Sequence, residues 1–209
     1  LLYALPISTT QVILGKYAAL LVVFAIPLCF VALYPLLFSR LGEVYLPTAY
    51  GSLFAFFLLG AALMAVGVFL SSLTDNQGLA AGLGVGAILL NYYSVSLSEY
   101  VSSTAVGSLI AFAVLTVCLV LIIRALTRND VLAISVGLVL LIGLVGVYLL
   151  DKTALEGLLP SLMKTLSLFS RFTVFVNGVF DMTGVVYYLS VIVFFLFLAV
   201  QSMEKRRYN

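Results

Sequence analysis

Proton-transfer or metal-assisted catalysis needs histidine, paired carboxylates or a cysteine with a base, and this chain contains no histidine. Its two cysteines, Cys29 and Cys118, each stand inside an apolar run. Neither a zinc site, a Cys/His pair nor a disulfide framework can be assembled from them, and both read as small apolar fillers. Two glycine patterns invite a phosphate-binding reading, and neither sustains it. Gly15 precedes Lys16, but position 10 is Thr where a phosphate-cradling loop needs Gly, and Tyr17 replaces the hydroxyl residue that would hold magnesium. Gly82 and Gly84 lie inside a long apolar segment rather than after a strand, and Ala87 stands where a dinucleotide fingerprint needs its third glycine. The charged residues fall in loops or at segment ends, so carboxylate ion sites and proton relays are missing from the apolar segments. Serine hydrolysis lacks a base and intramembrane proteolysis lacks paired aspartates. No residue is assigned to catalysis, to a cofactor or to a metal, and the chain does not bind ATP by a phosphate-cradling loop of its own.

The elements that carry these residues follow from composition: 209 residues, 64% hydrophobic and 9% charged, with a mean hydropathy of +1.27. So few charges cannot coat a soluble globule, which leaves lipid as the solvent for most of the chain. A net charge of +2 with no basic cluster beside exposed aromatics excludes nucleic acid as a partner. A membrane span needs about twenty mostly apolar residues, and six segments qualify: 12–38, 50–73, 78–97, 105–123, 131–150 and 185–203. The runs lack period-two alternation, so the expected fold is all-α, a polytopic helical bundle forming a single transmembrane domain over 1–209. The connection 151–184 is amphipathic, with Leu155, Leu158, Leu159, Leu162, Leu166 and Phe169 on one face and Glu156, Lys164 and Arg171 on the other. It is expected to lie in the outer interface, with Pro160 kinking it, either as a structural lid or as a gate.

Orientation follows from the basic residues of the short loops. Lys16, Arg124, Arg128, Lys205, Arg206 and Arg207 share one side of a six-span zigzag and Arg40, Lys152, Lys164 and Arg171 the other. The first side is expected to be cytoplasmic, with the C-terminus on it. With no Trp, the interfacial belt falls to tyrosines near the segment ends, among them Tyr17, Tyr34, Tyr50, Tyr148, Tyr187 and Tyr188. Ser8 with Gln11 forms a capping box before the first span, and the same spacing recurs at Thr74 with Gln77 and at Thr153 with Glu156. Asn177 with Gly178 predicts a turn, and Asp181 or Thr183 a cap for the last helix. Leu1 to Ile7 read either as the end of an interfacial helix or as the tail of a preceding span. The chain opens on Leu1 without an initiator Met and reads as the C-terminal part of a longer protein. Gly78, Gly82 and Gly86 repeat every four residues, the small-xxx-small pattern expected to pack against another helix.

Three stretches resemble the permease subunits of type-2 ABC transporters, in the gliding-motility-like branch: LLYALPISTTQVILGK at Leu1 to Lys16, GAALMAVGVFLSSLTDNQ at Gly60 to Gln77, and the tail from Phe169 to Arg207 with FSRF, NGVFDMTGVVYYLS and FFLFLAVQSMEKRR. The pair of spans between Ala105 and Leu150 departs from a common six-span member. The resemblance implies a bacterial plasma-membrane exporter subunit, N-terminally truncated, that dimerises or pairs with a related permease and docks ATPase subunits, which carry the ATP and magnesium. It further implies that Leu2, Leu5, Pro6, Ser8 and Gln11, and the turn Thr74, Asp75, Asn76 and Gln77, contact the ATPase. Two rival readings stand beside it: a membrane scaffold without transport, and an ion-coupled carrier whose charged site precedes Leu1.

Overall fold

The computed structural model describes residues 8–127 and 130–208, and every element among them is helical. Helix α1 (Thr9–Val31) continues after Ala32 into α2 (Leu33–Phe38). The interruption falls where Pro35 removes the N–H that would bond to the Val31 carbonyl. Next come α3 (Leu46–Ser72), α4 (Gln77–Tyr100), α5 (Ala105–Thr127) and α6 (Asp130–Leu150). A 3₁₀ turn (Lys152–Leu155), α7 (Leu158–Leu166), α8 (Leu168–Val176) and α9 (Met182–Tyr208) complete the order.

Four helices are long and apolar enough to cross a membrane: Thr9–Phe38, Leu46–Ser72, Gln77–Tyr100 and Met182–Lys205. Within α5 and α6 the described apolar stretches, Ala105–Val117 and Ile134–Leu150, are shorter. The long helices are apolar around their whole circumference, as lipid-embedded helices are, and α7 and α8 alone are strongly amphipathic. Phe30, Leu90, Val139 and Val193 are 68%, 68%, 69% and 68% exposed. Such a surface would aggregate in water and is stable in hydrocarbon. Cys29, expected among these fillers, is exposed on α1.

The chain divides into two compact units. The first holds residues up to Tyr92 together with those from Leu168 on, and α3 is its axis. Alanines let neighbouring backbones approach α3 closely. Ala55 and Ala62 cluster with Leu168 and Phe175 of α8 and Tyr188 of α9, while Ala65 meets Ile13 and Tyr17 of α1 and Leu196 and Ala199 of α9. Helix α1 therefore runs antiparallel to α3, and α9 parallel to it. Gly60 fits beneath the Phe24 ring, because a Cβ there would fall within van der Waals distance of its edge. Four inter-helix hydrogen bonds end on backbone carbonyls: Tyr17 Oη donates to Ala61 O (3.1 Å), Tyr50 Oη to Ala32 O (3.1 Å), Ser52 Oγ to Phe175 O (3.1 Å) and Ser202 Oγ to Ser72 O (3.1 Å).

The second unit runs from Tyr93 to Ser167. Helices α5 and α6 pair closely where Gly137 receives Val120. Thr104 caps α5 by accepting from Gly107 N (3.2 Å), and the exposed Arg124 and Asp130 pair across the α5–α6 connection (2.7 Å). Gly157, with φ +69°, donates to Ser103 O (2.8 Å) and ties the end of the 3₁₀ turn to the start of α5.

Three expectations for 151–184 are corrected. Asp151, not Thr153 with Glu156, caps the first turn by accepting from Thr153 N (3.0 Å). Pro160 sits in the first turn of α7, where no intrahelical N–H is required, and introduces no kink. The break lies at Ser167, whose extended backbone separates α7 from α8. Arg171, expected on the solvated face, is half-buried in α8.

Candidate functional site: a capped polar end and its cleft

The start of α1, the end of α3 and the end of α9 lie together at one end of the first unit, because Ile13 packs with Ala65, Leu196 and Ala199 there. Two polar elements stand at that end. At the first, Gln11 N donates to Ser8 Oγ (3.3 Å) and Ser8 N to Gln11 Oε1 (3.1 Å), the reciprocal box expected from the sequence. Leu2, Leu5 and Pro6 lie outside the described residues.

The second is the α3–α4 turn, where the cap differs from expectation. Asn76 is the capping residue: its Oδ1 accepts from Gly78 N (3.0 Å) and Leu79 N (3.2 Å), satisfying two of the four orphan donors of α4. Thr74 Oγ1 accepts instead from Asn76 N (3.2 Å), and Gln77 is the first helical residue. The Thr74/Gln77 spacing is thus not a capping box. A short side chain two residues nearer the helix reaches the free N–H groups first, and Thr74 stiffens the turn from behind. Asp75 and Asn76 are exposed at the tip.

Gly78, Gly82 and Gly86 are unlike the alanines of α3. A Cβ built on Gly82 or Gly86 meets nothing within 4 Å, and one on Gly78 meets only Asn76 Oδ1 at 3.4 Å. Among the described residues the stripe has no packed neighbour from another helix.

Two features escaped the sequence reading. The first is the support of the α7–α8 break. Asn91 of α4 accepts from Leu168 N (3.0 Å) through Oδ1, and Tyr188 Oη of α9 donates to Leu168 O (2.8 Å). Three residues on after Leu168, the guanidinium of Arg171 lies 5.5 Å from the Tyr187 ring centroid, and its buried Nε has no hydrogen-bond partner among the described residues. The tyrosines had been legible only as interfacial markers.

The second is a cleft of about 650 Å³ in the first unit, between α1, α3 and α4. Ile13, Lys16, Leu20 and Val23 of α1 form one wall; Met64, Gly67 and Ser71 of α3 form the floor; Ile88 of α4 borders it. A separate cleft of about 550 Å³ toward the other end, beside Phe38, Phe56 and Phe172, has no charged side chain in its lining. Among the described residues no group of His, Cys, Asp or Glu could hold a metal ion.

Fold and site together define the class: an all-helical membrane protein with a capped polar end and no catalytic constellation among the described residues. No protein-family model, no curated protein and no solved structure matches the chain.

Proposed function

We propose that the chain is the membrane-spanning permease subunit of an ATP-driven ABC exporter, coupling a separate ATPase to efflux. The observation that carries this reading is the grouping at one end of two rigid capped elements, Ser8/Gln11 and Thr74 to Gln77. These are the segments whose sequence resembles the ATPase-contacting parts of type-2 permeases. A capped helix start transmits a push without fraying, so ATPase closure at Asp75 and Asn76 would tilt α3 and α4 as rigid bodies. The basic tail at the end of α9 lies at that same end and favours a cytoplasmic location for it. In this reading α5 and α6 complete six spans, α7 and α8 lie at the outer interface of a bacterial plasma membrane, and the Gly78/Gly82/Gly86 stripe packs against a second permease chain.

The test is co-purification of the full-length protein with the ATPase encoded beside it, followed by the Asp75→Ala variant, which leaves the Asn76 cap intact. Retained membrane insertion with lost substrate-stimulated ATP hydrolysis is the expected result. Absence of any ATPase in the complex, or full coupling in the variant, would sink the reading and leave a scaffold. Single-cysteine labelling reports the orientation: position 75 should be protected in intact cells and position 164 should react.

A further inference from the structure

The two clefts of the first unit differ in one respect that bears on their occupants. The cleft between α1, α3 and α4 is apolar along most of α1 and α3 but is lined by a cation, Lys16, near the start of α1 and by the exposed hydroxyl residue Ser71 near the end of α3, both on the side of the capped end. No carboxylate is paired with Lys16 among the described residues. Its floor is open because Gly67 contributes no side chain, and a Cβ added there would meet nothing within 4 Å. From Lys16 to Val23, the wall is apolar for about 10 Å at 1.5 Å of rise per residue. A cleft with a cation at one end and an apolar wall leading away from it matches an amphiphile whose head is an anion and whose tail is a hydrocarbon. Water alone would leave the apolar part unfilled at a cost, a neutral head would leave the ammonium without a counter-ion, and a zwitterionic head would bring its own cation to compete with Lys16 for the phosphate.

We propose that this cleft holds an anionic phospholipid of the bilayer, its acyl chain lying along α1 and over Gly67 and its phosphate or other acidic head on Lys16. The site extends the exporter reading by naming an anionic amphiphile as the class of molecule that the α1–α3 face selects, as cargo or as resident lipid. It does not depend on an ATPase. The charge-free cleft beside Phe38 makes no such selection and serves as an internal control.

The experiment is lipid retention in nanodiscs prepared from equal amounts of phosphatidylglycerol and phosphatidylcholine with identical acyl chains, read by native mass spectrometry of the released protein. The wild type should retain phosphatidylglycerol preferentially. Lys16→Gln should lower that preference about fivefold, the equivalent of the ~1 kcal/mol a lysine contributes at an anionic membrane surface. Lys16→Arg should preserve it, since the charge and reach are kept. Gly67→Leu should reduce retention of both lipids at this cleft by filling its floor. Equal retention of both headgroups by the wild type, or an unchanged preference in Lys16→Gln, overturns the proposal. In that case Lys16 merely extends to the interface as exposed lysines do. If Gly67→Leu instead dissociates a dimer without altering lipid retention, the occupant is a second chain and the proposal is likewise wrong. Should Gly67→Leu fail to insert, the Lys16→Gln and Lys16→Arg pair decides alone. Lipid selection without any ATPase partner would sink the exporter reading and leave this site standing. Coupled transport without lipid selection would do the reverse.

Discussion

Helices α3 and α4 are adjacent, both long enough to span, and both rich in small residues, yet they end in opposite environments. In α3 the alanines Ala55, Ala61, Ala62 and Ala65 are buried, and 33% of its most apolar window is enclosed. In α4 the glycines Gly78, Gly82, Gly84 and Gly86 have nothing from another helix packed on them, and 0% of the window is enclosed. The difference teaches that a small-residue stripe specifies how closely a backbone can be approached and not which backbone approaches. Van der Waals contact drives association in lipid, where no hydrophobic force chooses a partner. For α3 the partners are α1, α8 and α9 of the same chain; for the glycine stripe of α4 the described residues supply none.

The comparison breaks most decisively at Ala62. Replacing it with Leu inserts three carbons into a contact with no free volume and should cost about 1–3 kcal/mol, read as a lowered melting temperature and loss of the monodisperse species in detergent. A next, smaller effect is expected at the head of α4. Asn76→Ala removes the side chain that holds two N–H groups and should cost about 1 kcal/mol, whereas Asn76→Ser should restore most of it. Equal melting of the two variants would show that the cap is idle. At Gly82 the expectation reverses that at Ala62: Leu there meets no neighbour in this chain, so monomer stability should change by no more than about 0.5 kcal/mol. Any loss should appear only as a reduced cross-linked dimer fraction, and an unchanged dimer removes the partner-packing reading of the stripe.

The smallest effect belongs to the second unit. Hydrogen bonds from the Thr153 hydroxyl and backbone N–H hold the exposed Asp151 carboxyl below the usual carboxylate range. Because the folded value is depressed, its contribution is complete above the ordinary carboxylate value and fades as pH falls through the lowered one. Thr153→Val should raise the Asp151 value toward normal, visible in an acid titration, and any loss of stability should be full near neutrality and vanish at low pH, where the carboxyl is protonated in both states.

How much was legible can be judged from particular elements. Four of the six expected spans emerge as helices of spanning length, each with ends displaced by a few residues. The Ser8/Gln11 box, the Asn177–Gly178 turn and the Asp181 cap all follow from local sequence; Asp181 accepts from Thr183 N (2.9 Å) and Gly184 N (3.2 Å). Caps failed as inferences where two side chains competed for the same donors. Asn76 and Asp151 prevail because each stands directly before the turn it closes, a preference that spacing alone does not rank.

Sequence by itself therefore determined that the chain is helical with segments apolar enough to cross a membrane, because charge is scarce and the long apolar runs lack the period-two alternation that a closed barrel, the other way to satisfy a backbone in lipid, requires. It also determined where α1 and α9 begin, since the Ser8 and Asp181 caps act within four residues. Only the tertiary structure decided that Arg171 lies against Tyr187, that Asn91 and Tyr188 support the α7–α8 break, and that Lys16 lines a cleft floored by Gly67. Those contacts join residues up to 77 positions apart. In a helix apolar on every side, no periodicity marks the face that turns inward, so packing alone makes that choice.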